Sequence, residues 1–204
     1  MNDWNYCQET LPKVSRTFAL NIRCLKGSLH RGVLSAYLFC RIVDTVEDAP
    51  ELDAEKKIDL LLELSKLALD TEYRAKHLEQ WVEKCSIVDG SANDLELLAN
   101  TKRVFNVFDT LPSGFQNCIM QSVSKMSQGM AFFQKIFDSS KGALLEDANQ
   151  LEEYCYYVAG CVGEMLCALF LEDCPNISEK SAKIMKETAV SFGLGLQITN
   201  IAKD

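Results

Sequence analysis

The stretch YLFCRIVDTVED, from Tyr37 to Asp48, carries the pattern around which the rest of the chain is organised. On an α-helix, Asp44 and Asp48 lie four residues apart on one face, with Arg41 one turn earlier and Glu47 between the two acids. Carboxylates stacked in this way repel each other, so a structure that keeps them close usually supplies a cation. Mg²⁺ is commonly held by one or two carboxylates together with substrate phosphates. The alternative is a solvated acidic helix end.

A second oxygen-rich pattern lies near the end of the sequence. The stretch GLGLQITNIAKD, from Gly193 to Asp204, places Gln197, Asn200 and Asp204 on a strongly apolar helix. Two such polar stripes, facing each other across a helical bundle, predict a diphosphate site bridged by a metal ion.

Composition narrows the classes of protein that this chain can belong to. It has 204 residues, 48% of them hydrophobic, and a net charge of −8, which argues against a nucleic-acid surface. The nine cysteines come without a signal peptide or a Cys-x-x-Cys pair, so we expect reduced, mostly buried thiols in a cytoplasmic protein. The apolar run from Val158 to Leu171 is shorter than a membrane span and predicts a core helix.

Hydrophobic periodicity close to 3.6 residues recurs along the whole chain, and strand patterns of useful length do not. We therefore predict one all-α domain over residues 1–204, with a flexible connection at 138–142. Pro12 is expected to end the first helix, and Asp53 to cap the fourth. The predicted helices cover residues 2–11, a short segment after Phe18, 29–49, a segment after Asp53, 71–85, 94–110, 112–138, 148–172 and 178–204.

The segment YCYYVAGCVG, residues 154–163, predicts an apolar lane with a phenol at one end. Gly160 and Gly163 each cost a helix on the order of 1 kcal/mol relative to Ala, so something must approach the backbone closely. A neighbouring helix and an isoprenoid tail both satisfy this requirement. One face of this helix carries Tyr154, Val158 and either Cys161 or Val162.

Two arginines lie where an anion is expected. Arg16 follows Ser15 and precedes Phe18 at the start of a helix, and a guanidinium binds phosphate oxygens in a fork. The alternative is a helix cap beside a surface charge. Arg41 lies inside an apolar run, where it needs an anionic partner. That partner is either Asp44 or a neighbouring helix, or else a diphosphate.

Together these motifs are similar to those of the squalene/phytoene synthase family, the head-to-head prenyl transferases with the all-α isoprenoid synthase fold. The first and third motifs, DTVED and YCYYVAGCVG, resemble the squalene synthase branch most. The resemblance spans essentially the whole chain through Tyr6-Cys7, residues 11–18, 37–48, 154–163 and 197–204.

The resemblance implies a helical bundle around a central cavity and a magnesium-dependent reaction, with Mn²⁺ as a substitute ion. Two farnesyl diphosphates condense to presqualene diphosphate, which NADPH then reduces to squalene. Phytoene or dehydrosqualene synthesis without reduction is the alternative within the family. A non-catalytic prenyl-diphosphate-binding or assembly protein is a further alternative, and a cyclising terpene synthase is a weaker one. Peripheral membrane contact for product release is an expected partner interaction.

The resemblance also assigns roles to individual residues. The catalytic set is Tyr154, Asp44, Asp48 and Arg41. The metal set is Asp44, Glu47, Asp48, Asn200 and Asp204. The substrate set is Ser15, Arg16, Phe18, Tyr37, Val158, Val162, Leu196 and Gln197. The set for the nicotinamide cofactor is Arg16, Arg41 and Lys203.

Two departures from the family pattern qualify this interpretation. Lys203 stands where the family usually has Arg, so the charge is kept and the bidentate fork is lost. The sequence also stops at Asp204, before the second acid of that motif and the remaining helices. We therefore expect an incomplete C-terminal end of the bundle, and little or no turnover from these 204 residues alone.

Overall fold

The computed structural model describes residues 1–15, 17–139, 145 and 147–202, and every regular element among them is helical. This confirms the predicted all-α class. A 3₁₀ turn at Cys85–Ile87 follows the fifth helix, and a π-helical turn at Tyr156–Gly160 joins the ninth to the tenth. The helices are α1 (Asp3–Val14), α2 (Phe18–Arg23), α3 (Gly27–Glu47), α4 (Ala54–Leu69), α5 (Thr71–Lys84), α6 (Ala92–Ala99), α7 (Thr101–Phe108), α8 (Ser113–Ser139), α9 (Ala148–Cys155), α10 (Cys161–Asp173) and α11 (Glu179–Ile201).

Helix α3 lies at the centre of the protein because apolar residues occur on all of its sides. Leu38, Phe39, Ile42, Val43 and Val46 are fully buried, and the helix contacts α1, α2, α4, α6, α7, α8 and α10. A helix that is apolar all round belongs in a core. The acidic end of the opening motif therefore lies at the edge of the core, where Glu47 is buried and Asp48 is exposed.

The long helix α8 packs on α3, α4 and α10. Its contact with α4 contains a small polar network inside the apolar interface. Ser65 and Ser124 are 2.8 Å apart through their hydroxyl oxygens, and the Gln128 amide donates to both. The two buried hydroxyl groups therefore have hydrogen-bond partners, and the exposed Gln128 completes the network at the edge of the interface.

The prediction that Pro12 ends the first helix is wrong. Helix α1 continues to Val14, and the Ser15 N–H still donates to the Leu11 carbonyl at 3.0 Å. Proline removes only one hydrogen bond from the last turn of this helix. Burial of Leu11 in the core holds the turn in place.

Two other predictions about helix ends are also wrong. The single helix predicted over 94–110 is two helices. Helix α6 ends at Ala99, and the side-chain amide and the backbone N–H of Asn100 both donate to the Glu96 carbonyl, at 2.9 and 3.2 Å. Asp53 stands at the N-cap of α4, yet its carboxylate pairs with Lys56 instead of accepting from the helix backbone. The predicted connection at 138–142 lies largely outside the described residues.

The helical segment from Ala148 to Asp173 has the length and composition of a membrane span, with a mean hydropathy of 1.5 over its most apolar window. This segment is longer than the apolar run from Val158 to Leu171, whose shortness was the reason for predicting a core helix. One of its faces is a core face, since Cys161, Met165 and Leu169 are buried in the main hydrophobic cluster. All nine cysteines lie in the described part of the chain, and each is a free thiol.

Helices α10 and α11 approach each other through small residues. A Cβ atom on Gly163 would overlap the carbonyl oxygen of Ala189, and one on Gly193 would overlap that of Ala159. The sequence left two explanations open for the glycines, a neighbouring helix and an isoprenoid tail. At Gly163 the close neighbour is a helix. Gly195, also on α11, faces open space.

These two environments predict opposite effects of the same substitution. Gly163→Ala should lower the free energy of unfolding by about 1–3 kcal/mol, because the new methyl group meets a backbone that cannot move aside. Gly195→Ala should raise it by about 0.5–1 kcal/mol, because only helix propensity changes there. Urea unfolding followed by circular dichroism measures both. Equal effects at the two positions would contradict the close packing of α10 on α11.

Candidate active site

A cavity of about 380 Å³ lies between α3, α8, α11 and the helical segment that begins at Ala148. Its volume is within the range of small-molecule sites. It brings together residues from the first motif, the tyrosine segment and the C-terminal stripe, which lie far apart in the sequence. Its lining consists of Arg41, Asp44, Glu47, Asp48, Met130, Tyr154, Val158, Gln197 and Asn200.

The three acids lie at the C-terminal end of α3, where the helix dipole disfavours negative charge. Burial, and then the neighbouring Asp48, raises the pKa of Asp44 to about 8. The same two causes, in the same order, raise the pKa of Glu47 to about 7. Among the described residues, none forms an ion pair with any of these three acids. The site therefore carries carboxylates whose charged form lacks a direct counter-ion.

Glu47 is held in place by residues outside its own helix. The Gln134 amide of α8 donates to the Glu47 carboxylate at 3.0 Å, and both side chains are buried. The Lys57 ammonium donates to the Glu47 backbone carbonyl at 2.7 Å. Gln134 was not singled out from the sequence, because a single Gln on an apolar helix gives no local signal.

The donor set fits a hard divalent cation in chemical type. It consists of carboxylate and amide oxygens, and a cation would favour the charged forms that burial disfavours. Within the described residues, no three His, Cys, Asp or Glu side chains form a metal-binding group by themselves. A cation here would therefore need oxygen ligands from a bound substrate or from water as well.

Arg41 forms a bidentate ion pair with Asp94 at the start of α6. Its Nε and Nη2 atoms donate to the two carboxylate oxygens at 2.8 and 2.9 Å. The sequence left Asp44, a neighbouring helix or a diphosphate as the partner of Arg41. The structure shows the neighbouring helix. The local signal for Asp94 is the capping pattern Ser91-x-x-Asp94, in which the two side chains are hydrogen-bonded at 2.6 Å. Arg41 still lines the cavity, so its predicted contact with a diphosphate stays a prediction.

Ser15, Phe18 and Tyr37 form a separate cluster beside the cavity. The Ser15 hydroxyl accepts the Ala19 N–H at 3.3 Å, and the Tyr37 hydroxyl donates to the Val14 carbonyl at 3.2 Å. The Phe18 ring packs 5.9 Å from the ring of Tyr37. These three residues are absent from the described lining, and their substrate roles stay predictions. Arg16, in the same motif, lies outside the described residues.

Tyr154 joins the acids to an aromatic wall. Its ring packs 5.3 Å from Phe133 and 5.7 Å from Phe137, both on α8. Burial, and then the charges of Glu47 and Asp48, raises the pKa of Tyr154 well above its ordinary value. The phenol is therefore neutral and protonated at physiological pH, close to two carboxyl groups.

The remaining predicted residues fall into two groups. Val158, Gln197 and Asn200 line the cavity, and the roles that the resemblance assigns to them stay predictions. Val162 is partly buried against the core, and Leu196 is 38% exposed. Neither belongs to the described lining. Lys203 and Asp204 lie outside the described residues.

A second groove of about 400 Å³ lies between the π-helical turn and α11. It is more open than the first and, within the described residues, it includes none of the predicted site residues. The shape and the chemistry therefore both favour the acid-lined cavity as the candidate active site. The groove is lined by Asn149, Glu152, Glu153, Tyr156, Tyr157, Val190 and Leu194.

Comparisons with known proteins identify relatives of this chain. Residues 11–204 match the family described as squalene/phytoene synthase. Squalene synthase of Schizosaccharomyces pombe is 31% identical over 202 residues, which are 97% of this chain and 40% of that protein. Squalene synthase 1 of Arabidopsis thaliana is 32% identical over 98% of this chain and 44% of that protein. The chain thus spans less than half the length of these relatives.

Two solved complexes of TcSQS with bound ligands have the same fold. One superposes with a TM-score of 0.77 at 30% identity, and the other with 0.73 at 27%. Both comparisons cover 98% of this chain and 52% of the solved one.

The Arg41–Asp94 pair predicts a pH-dependent contribution to stability. Burial would raise the pKa of Asp94, but hydrogen bonds from Arg41 and Ser91 lower it overall. The contribution is therefore fully present above the pKa of an ordinary Asp, about 3.9, and is lost as pH falls through the lower folded-state pKa. Asp94→Asn should lower the free energy of unfolding at neutral pH by about 1–2 kcal/mol.

Urea unfolding at a series of pH values measures this difference, which should shrink toward strongly acidic pH. Asp53→Asn, which removes the charge of an exposed carboxylate paired with Lys56, is the matched control, and its effect on the free energy of unfolding should be much smaller than that of Asp94→Asn. A loss at Asp94 that is independent of pH, or no larger than that at Asp53, would contradict the role of the pair.

Proposed function

Because the chain belongs to the squalene/phytoene synthase family, we propose that it contributes the active-site cavity for head-to-head condensation of two farnesyl diphosphates to presqualene diphosphate and, with NADPH, to squalene. The observation that carries the proposal is the cavity, where the acids of α3 share one space with Tyr154, Val158 and Met130. A metal-bound diphosphate requires the acidic side of the cavity, and a prenyl chain requires the side formed by Tyr154, Val158 and Met130. The curated relatives described above are squalene synthases, which favours squalene over phytoene or dehydrosqualene.

In this proposal Asp44, Glu47 and Asp48 hold Mg²⁺ or Mn²⁺, with Asn200 as an additional oxygen donor. The bound ion supplies neutralisation of the leaving diphosphate. The protein fixes the ligands in advance. Gln134 orients the Glu47 carboxyl group, and the long packing of α3 in the core keeps all three acids at one end of the cavity.

Tyr154 is proposed to handle the proton released when the new carbon–carbon bond forms. Its raised pKa keeps the hydroxyl protonated, so the phenol can act as a relay: it gives its own proton to a diphosphate oxygen or a nearby carboxylate as its oxygen takes the proton released from the substrate carbon. Met130, Val158 and the Phe133 ring behind Tyr154 make the adjoining wall apolar. An apolar wall keeps water away from a carbocation.

NADPH, when bound, supplies the hydride for the reductive step. Arg41 is the member of the predicted cofactor set that lies in the described part of the chain, and its guanidinium is already paired with Asp94. Its Nη1 group takes no part in that pair, which leaves donors for an anionic ligand. Use of NADPH is therefore the part of the proposal that rests most on family membership.

Binding of farnesyl diphosphate should depend on Mg²⁺ and on Asp44. Asp44→Asn keeps the size of the side chain and removes its charge, so affinity in Mg²⁺ should fall by at least about tenfold. Without divalent ions, the two proteins should bind equally weakly. Isothermal titration calorimetry of the 204-residue protein measures both.

The control is Asp59→Asn, which makes the same charge change on the exposed face of α4. Absence of magnesium-dependent binding, or an equal loss in both variants, would contradict the metal assignment. Magnesium-dependent binding without presqualene diphosphate or squalene, even when the chain is extended to the length of its relatives, would favour the non-catalytic binding protein.

Tyr154→Phe tests the proton role separately from binding. The ring contacts with Phe133 and Phe137 are kept, so affinity for farnesyl diphosphate should change by no more than about twofold. In the chain extended to the length of its relatives, formation of presqualene diphosphate, followed by mass in single turnovers, should slow on the order of a hundredfold. Tyr157→Phe, on the same segment and facing the open groove, is the control. A normal rate in Tyr154→Phe would reduce this residue to a packing role.

A further inference from the structure

A closed network of three side chains spans the π-helical turn at Tyr156–Gly160. The Lys125 ammonium of α8 donates to the Tyr156 hydroxyl at 2.9 Å and to the Glu164 carboxylate at 3.0 Å. The Tyr156 hydroxyl donates to the same Glu164 oxygen at 3.0 Å. Tyr156 is the first residue of the turn, and Glu164 lies beyond it in the first turn of α10. Lys125 therefore joins the two sides of the π-helical turn to a third helix.

The network depends on the shape of the turn. Tyr156 and Glu164 are eight residues apart, so an unbroken α-helix would place them roughly 80° apart around its axis. The extra residue of a π-helical turn reduces this angle to roughly 20°, which brings the two side chains to nearly the same face. One ammonium group can then reach both of them. The hydrogen bonds of Lys125 thus favour the π-helical turn over a continuous α-helix.

Other contacts of α8 act on the same segment. A Cβ atom on Gly129 would overlap the Tyr157 ring, so this ring lies directly on the helix backbone. The Phe133 ring, one turn further along α8, packs on Tyr154. Lys125, Gly129 and Phe133 follow each other at intervals of four residues and lie along one side of α8. The direction of the Tyr154 phenol is therefore set by the way in which this segment rests on α8.

We propose that Lys125 is a positioning residue for Tyr154 in the condensation reaction. By holding Tyr156 and Glu164 together, it maintains the π-helical turn and keeps the phenol directed at the acids of α3. Lys125 is absent from the described lining of the cavity, so it acts through Tyr154 and not on the substrate. The proposal rests on the proton role proposed above for Tyr154.

The first test uses the chain extended to the length of its relatives. Lys125→Met removes the ammonium group and keeps the aliphatic stem. Formation of presqualene diphosphate in single turnovers should slow about fivefold, because the population with the phenol in the cavity falls by that factor. Affinity for farnesyl diphosphate in Mg²⁺ should change by no more than about twofold, because no binding group is lost.

Two further variants accompany Lys125→Met. Lys125→Arg keeps the charge and the donors, and should restore about half of the original rate or more. Lys135→Met is the matched control on the same helix, because Lys135 is exposed and forms no ion pair within the described residues. Its rate should equal that of the unaltered protein. A rate in Lys125→Met equal to that in Lys135→Met would overturn the proposal.

Combination with Tyr154→Phe separates positioning from a general loss of stability. In that background, Lys125→Met should slow the reaction by less than about 1.5-fold, since no hydroxyl is left to misplace. Fivefold slowing in both backgrounds would show that Lys125 acts on the fold as a whole, and the proposal would be wrong.

A second measurement needs no turnover, and therefore stands even where the proton role of Tyr154 fails. Nuclear Overhauser effects between the rings of Tyr154 and Phe133 report the position of the phenol in the 204-residue protein. Their intensity should fall about fivefold in Lys125→Met and be kept in Lys135→Met. Unchanged intensity in Lys125→Met would exclude the positioning role. Reduced intensity together with a normal rate in Tyr154→Phe would support the positioning of the ring and contradict the proton role alone.

Discussion

The structure depends on keeping three carboxyl groups together at the C-terminal end of a buried apolar helix. Like charges repel there and the helix dipole opposes them. Burial removes much of the water that would screen Asp44 and Glu47, whereas Asp48 is exposed. The apolar surface of α3, which is buried on all sides, supplies the free energy that holds this end in place. The surrounding polar residues restrain the acids without neutralising them. Gln134 contacts Glu47 as a neutral donor, and Arg41 is occupied by Asp94.

This arrangement leaves a specific deficit of positive charge in the cavity. Asp94 and Asp109 each have an Arg within ion-pair distance, whereas among the described residues no Lys or Arg forms an ion pair with Asp44. Here the nearest guanidinium is turned to a different helix. The cavity is therefore suited to ligands that bring their own positive charge, which is the chemistry expected for a metal–diphosphate complex.

The sequence predicted what depends on neighbouring residues. The spacing of Asp44 and Asp48 fixes a shared face by helix geometry alone, and the apolar period located most of the helices. It could not predict the contacts that join distant parts of the chain. Arg41 and Asp94 are 53 residues apart, and Glu47 and Gln134 are 87 apart. It also missed the break at Asn100, where the side-chain amide and the backbone N–H both donate to one carbonyl group. The roles of individual residues came from the family resemblance and not from the spacing of residues in this sequence.

The π-helical turn at Tyr156–Gly160 determines how the side chains before it and after it are rotated about the helix axis relative to each other. Such a turn contains one residue more than an α-helical one, so the side chains beyond it are rotated by roughly 100° compared with an unbroken α-helix. Tyr154 faces the acids while Cys161 and Met165 face the core. Loss of a single residue within the turn would rotate these two faces against each other. A change of chain length by one residue could thus remove the phenol from the cavity while every residue of the cavity is still encoded.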